Sequence, residues 1–313
     1  MAKNRYYIGA DTGASAGKFS IENLDTGEIK RVQYSSIFAY APEEATDMPK
    51  YNGKRYFYGN AAKAHPDTII DITSYEQNEE LGPLSIWSML KSEGIEVDEV
   101  EGIGIGLSFA HIQHGPKFLK KMTKFKVNGE IYDFTNKIVL LPQGAGAKYS
   151  IEDQHQILPD AYLIVDGGFL TIDNVDVIDS TLRPENVKGI EGKGMIIVAR
   201  NIQEFIRTKF NQDIPLKIAK EVLLSKRYVN FALDIDIDLT DEINAFAKSY
   251  TEFLIKELKQ LHSREFSNYE KIFIVGGLGY YIQTTQKNME VVKNPEFANA
   301  DGFRIKAKLI EKV

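Results

Sequence analysis

The chain of 313 residues has no cysteine, which excludes disulfides, thiolate metal sites and a cysteine nucleophile together. It also lacks a long apolar run. The longest, Ile272 to Ile282 (IFIVGGLGYYI), falls well short of the roughly 20 residues that a membrane helix needs. The opening MAKNRYYIGAD has no apolar stretch of signal-peptide length, and the expectation is a cytoplasmic protein without membrane contact. Basic charge is not in excess, with 38 Lys and Arg against 44 Asp and Glu, a net charge of -6. Direct binding of nucleic acid is therefore not expected, because neutralising phosphates takes clustered Lys and Arg. The one local exception, Lys117 to Lys126 (KFLKKMTKFK), reads as a solvated amphipathic helix end. The five histidines are scattered, and His111 and His114 have no acid nearby to complete a metal triad.

What is present is a core. Hydrophobic residues make up 43% of a chain this long, which suits two domains better than one. The segment Ile8 to Ser20, IGADTGASAGKFS, is compatible with three kinds of site. An aspartic protease would need a second Asp-Thr-Gly or Asp-Ser-Gly loop on a matching half, yet Asp25 to Gly27 lies too close and reads as a hairpin turn. A P-loop needs Gly-x4-Gly-Lys-[Ser/Thr] opening a helix, but Thr12 and Phe19 fill two of its fixed places and the loop joins strand to strand. The third reading is a phosphate-binding hairpin, whose small residues let backbone amides point inward while an acid holds Mg²⁺ through its waters.

The pattern returns further on. AYLIVDGG followed by TIDNVDVID is again an apolar strand ending in Asp and Gly, then an alternating strand, which predicts two halves built on one plan. Between the hairpins, Tyr51 to Tyr58 reads as a hairpin, Leu84 to Glu93 as a helix, and Ile103 to Ser108 as a buried strand. Phe125 to Val127, Glu130 to Phe134 and Lys137 to Leu141 read as short strands around an Asn128-Gly129 turn. Helices are expected over Lys148 to Gln156, Ala199 to Phe210, Leu216 to Arg227 and Asp241 to His262, and a last buried strand over Lys271 to Val275. The acidic alternation of Leu233 to Glu242 reads as an edge strand with Thr240 capping the next helix, rather than as a metal site.

Taken in order, DTGASAGK, LPQGAGA, VDGGFLTID and IVGGLG resemble the phosphate-1, connect, phosphate-2 and adenosine motifs of the superfamily of actins, heat-shock chaperones and sugar kinases. Within it, Leu107 through LLPQGAGA and the stretch NPEFANADGF (Asn294 to Phe303) resemble the ParM family of plasmid-segregating actin-like ATPases and its archaeal and phage relatives. The resemblance implies an α/β, ribonuclease H-like fold of two domains with a nucleotide cleft between them. Residues 1–150, joined by 297–313, would form the first domain, and 151–296 the second.

The resemblance also implies roles for residues. Asp11 and Asp166 would hold Mg²⁺ through water, and Gln143 would orient the attacking water. On the first hairpin Gly13, Ala14, Ser15, Ala16 and Lys18 would meet the phosphates, as would Gly167, Gly168, Phe169 and Thr171 on the second. Gly276, Gly277 and Leu278 would lie against the base, Lys217, Lys220 and Glu221 would contact ribose and base, and Gly192 would line the nucleotide. The implied activity is Mg-dependent ATP hydrolysis, with GTP as the other candidate nucleotide. Coupled to it are self-association into filaments and a DNA-binding adaptor for plasmid segregation. A small-molecule kinase, for which Asp173, Asp176 or Asp179 would be the base, and a non-polymerising nucleotide sensor remain as alternatives.

Overall fold

The structure is a computed structural model that describes residues 4–13, 16–70, 75–263, 266–283 and 286–310. The chain divides into two compact units, Met1–Gln156 with Phe297–Val313, and Ile157–Glu296. A boundary at residue 150 would cut the helix Ala145–Gln154, which stays whole within the first unit. Among the described residues no helix is long and apolar enough to cross a membrane.

The first unit is built on a five-stranded sheet in the order Ile138–Pro142, Val100–Leu107, Tyr6–Thr12, Ala16–Asn23, Ile29–Ser35. The first three strands run parallel and the last three form an antiparallel meander. Alternating apolar residues carry this sheet into the core, where Ile8, Phe19, Ile103 and Ile105 are wholly buried. A second, six-stranded sheet runs Glu130–Asp133, Lys124–Val127, Lys50–Tyr51, Lys54–Tyr58, Phe38–Ala41, Ile69–Ile70. Its two tight turns, Asn52-Gly53 and Asn128-Gly129, have positive φ at both residues, the twist that two-residue hairpins require.

The helix between the sheets, Tyr75–Glu93, begins earlier than its apolar pattern suggests. Glu79 explains the extra turns. It is buried, and its charge is paired there with Lys121 (2.8 Å) and Lys117 (3.2 Å). Lys121 also pairs with Glu80, and Lys124 with Asp133. Much of the basic run is thus engaged in ion pairs within the unit.

The helix Ala298–Ala307 lies directly on the five-stranded sheet. A Cβ on Gly9 would overlap the carbonyl oxygen of Ala300, and one on Gly104 would overlap the backbone of Phe303. Glycine is required here by the closeness of two backbones. Charge pins the same helix. Asp301 accepts from Ser20 Oγ (2.6 Å) and Arg31 Nε (2.9 Å), while Arg304 donates to Ser20 Oγ (3.0 Å) and pairs with Glu22.

The second unit repeats the plan. Ala161–Gly167 and Thr171–Ile178 form an antiparallel hairpin, and Lys271–Val275 lies parallel to the first of these on its other side. Thr181–Leu182, Lys188–Glu191 and Met289–Val291 complete the sheet. Leu163, Val165, Ile272 and Ile274 pack with Val198, Ile202, Leu254 and Leu258 from the helices Ile196–Phe210 and Thr240–Leu261. The helix Leu216–Ser225 ends two residues early, because Lys226 turns left-handed into a two-stranded ribbon, Arg227–Asn230 with Ile235–Asp238. Contrary to expectation, Thr240 does not cap the helix Thr240–Leu261 from outside. It is the first helical residue, and its amide is bonded instead by Asp238 Oδ1 (2.8 Å).

Candidate functional site

In the first unit the site residues stand at the carboxyl ends of parallel strands, where open α/β sheets place ligands. Asp11 is 5% exposed near the end of Tyr6–Thr12. Its Oδ1 accepts from Gln143 Nε2 (2.9 Å), and its Oδ2 lies 3.9 Å from Lys18 Nζ. Lys18 is the residue paired with Asp11 across the hairpin. Ser36 donates to the Gly13 carbonyl (2.8 Å) and fixes the near side of the turn. Ala16 opens the next strand and is buried, whereas Ala14 and Ser15 fall outside the described residues.

Gln143 is held from two directions. Its amide donates to the Leu107 carbonyl (2.8 Å), and the glycine after it, with φ of 83°, starts the helix Ala145–Gln154. The amides of Gly144 (2.9 Å) and Ala147 (3.1 Å) both donate to Asn299 Oδ1. Asn299 and Ser36 escape a reading of the sequence, since a lone Asn or Ser carries no signature. Only the pattern NPEFANADGF marked the segment that contains Asn299.

In the second unit Asp166 holds the place of Asp11, and its partner across the hairpin is Asp173. Burial, with the Asp166 carboxylate beside it, pushes the Asp173 carboxyl up to about 7. The turn closes with Gly168 donating to the Thr171 carbonyl (2.9 Å). The segment before helix Ile196–Phe210 is zipped to this turn. Met195 donates to Gly168 (3.2 Å), Ile196 to Phe169 (2.8 Å) and Gly194 to Leu170 (3.2 Å), all at carbonyl oxygens. The positive end of that helix therefore abuts the hairpin turn.

Gly276, with φ of 79°, stacks on Asp166 and Gly167, where any Cβ would meet the Gly167 carbonyl. Leu278 is fully buried against Gly167, so its side chain belongs to the core and only its backbone is available to a ligand. Gly277 has open space where a side chain would be. Lys220 Nζ sits 4.9 Å from the centre of the Phe169 ring, a cation–π contact tying helix Leu216–Ser225 to the hairpin turn. Thr171 is exposed and pairs with Glu191, next to Gly192, while Glu221 is exposed. The Lys217 side chain lies outside the described residues.

No protein-family profile and no curated protein matches the sequence. Solved structures do match. An archaeal actin homologue, Ta0583, aligns over 96% of this chain and 99% of its own at a TM-score of 0.76 and 19% identity. The chain has an actin-like fold. This actin-like fold also aligns with the subunit of a 15-stranded ParM filament from Clostridium botulinum, over 98% and 99% of the two chains, at a TM-score of 0.74 and 21% identity. Bacillus thuringiensis ParM with AMPPNP shares the fold over 98% and 99% at a TM-score of 0.65 and 16% identity.

Proposed function

We propose that this chain is a nucleotide-dependent, polymerising actin-like ATPase that forms cytoplasmic filaments and segregates DNA, a plasmid for example, through a DNA-binding adaptor. The observation that carries the reading is the repeated hairpin, each with an aspartate at a strand end, Asp11 and Asp166, in the same register and beside a parallel strand. Neighbours of the same fold include a filament and complexes with ADP and AMPPNP, which supports assembly and nucleotide binding.

Among the described residues no three metal-ligating side chains cluster. Mg²⁺ fits such a site when one or two carboxylates act through its waters and phosphate oxygens fill the other places. Asp11 and Asp166 would hold it, and bound there it would neutralise charge on the transferring phosphoryl group. Lys18 and the amides of Gly13, Gly168 and Phe169 supply further positive potential for phosphates. Gly276, Gly277 and the backbone of Leu278 leave room for a base. Gln143 donates through Nε2 to Asp11, which leaves Oε1 to accept from a water. A carboxamide orients that water without itself taking the proton, so turnover is slow until a conformational change improves the alignment, as befits a timer on a polymer.

The test is sedimentation of the purified protein with Mg-ATP, Mg-GTP, ADP or no nucleotide, with phosphate release measured in parallel. Nucleotide-dependent pelleting with slow phosphate release is expected. A specific observation favours a second reading, a small-molecule kinase: Asp173, raised to about 7, has the basicity that suits a general base. Phosphate passing to an alcohol acceptor, with nothing sedimenting, would decide for the kinase.

A further inference from the structure

The strand ends of the first unit also carry a hydroxyl and an imidazole in contact with each other. The strand Val100–Leu107 lies between Tyr6–Thr12 and Ile138–Pro142 and is parallel to both. Ser108, the next residue, therefore leaves the sheet between the strands that deliver Asp11 and Gln143. Pro142 pairs with Leu107, which sets Ser108 level with Gln143. Gly9, Gly104 and Gly106 all face the helix Ala298–Ala307. Alternate residues of a strand share a face, so Asp11 and Ser108 continue that face past the glycines.

Ser108 caps the short 3₁₀ turn Phe109–His114, a position where a serine oxygen ordinarily accepts a backbone amide. It makes no such bond, and its Oγ lies 2.9 Å from His111 Nδ1 instead. With the hydroxyl donating to Nδ1, the oxygen's lone pairs remain for a third group. The Tyr75 ring stacks on His111 (5.2 Å) and on His114 (4.8 Å), which holds the imidazole in place. Both Ser108 and His111 are half-buried, sheltered yet within reach of a water.

We propose that Ser108 and His111 accept the proton of the water that Gln143 orients. The proposal rests on the ATPase reading. Ser108 Oγ accepts a hydrogen bond from the attacking water. As the water oxygen bonds to the γ-phosphorus and the bond to the bridging oxygen of the ADP leaving group breaks, the water proton passes to Ser108 and the Ser108 proton to His111 Nδ1. The imidazolium then returns its proton through Ser108 to inorganic phosphate, which restores the pair. His111 is a positioning residue, since it reaches the water only through Ser108.

Three variants of the full chain test this, Ser108→Ala, Ser108→Thr and His111→Gln, read by single-turnover phosphate release, fluorescent-nucleotide affinity and ¹⁵N NMR of the His111 ring. Loss of proton transfer should slow release about tenfold or more in Ser108→Ala and His111→Gln, with Ser108→Thr within about threefold of wild type and affinity unchanged within about twofold. The wild-type ring should show an unprotonated Nδ1, a preference that Ser108→Ala weakens. Unchanged release in Ser108→Ala and His111→Gln would overturn the proposal. Equal losses in the alanine and threonine variants, with weakened nucleotide binding, would overturn it as well, by marking a structural role. Failure of the ATPase reading looks different. The wild type would then bind nucleotide and release no phosphate, and the pair's role in hydrolysis would fall with it.

Discussion

The residue paired with the leading aspartate is Lys18 in one hairpin and Asp173 in the other, so the same backbone carries opposite electrostatics in the two units. In the first, Lys18 offsets Asp11. In the second, two carboxyls share a half-buried place, and the Asp173 carboxyl is pushed up to about 7. A carboxyl raised in the folded state favours folding below its unfolded value, and that advantage is lost as pH rises through the folded value. Without nucleotide or Mg²⁺, the melting temperature should therefore fall between about pH 4 and pH 7 and level off above. Asp173→Asn should flatten that slope in a series of thermal melts, and a slope identical to wild type would contradict the assignment. Asp166→Ala should keep measurable nucleotide binding while slowing phosphate release by about 10². Unchanged turnover in that variant would remove Asp166 from the site.

At the scale of elements, the two hairpins and the turns between strands were legible because glycine and asparagine punctuate them. Asp11, Lys18, Gly168 and Gly276 could be picked out for that reason. Helix ends were less legible. Tyr75–Glu93 starts with polar turns whose burial depends on Lys117 and Lys121, distant partners that no local pattern announces. The contact of Ser108 with His111 has no sequence signature, because a serine and a histidine three residues apart gain meaning only from the strand end that presents them. The contact between Ala298–Ala307 and the sheet was equally hidden, since the glycines of Val100–Leu107 read simply as a buried strand. Gly104→Val should show its importance, because the new side chain would meet backbone that cannot yield. A loss of about 3 kcal/mol or more is expected, read as a lower urea midpoint with an unchanged slope.

Across the whole molecule, charge joins segments that are far apart in sequence. Asp301 and Arg304 from the late helix meet Ser20, Glu22 and Arg31 from the opening meander. Removing one member of a buried ionic group strands the others. Asp301→Ala, which leaves Arg31 without its carboxylate and Ser20 Oγ without its acceptor, should cost about 3 kcal/mol. Chemical denaturation would report it, and a loss below ~1 kcal/mol would show that water already screens the network.

The cover that Ala298–Ala307 provides has a consequence for synthesis. On the ribosome, chains appear amino end first and domains generally fold as they emerge. Here the glycine-lined sheet face made by the early strands has no lid until residues 298–307 leave the exit tunnel. The Ile157–Glu296 unit is complete before that, so the later-encoded unit can mature first. Asn299, which braces the turn carrying Gln143, arrives with the same helix. Until that helix emerges, a nascent chain lacks the brace that sets Gln143 in place.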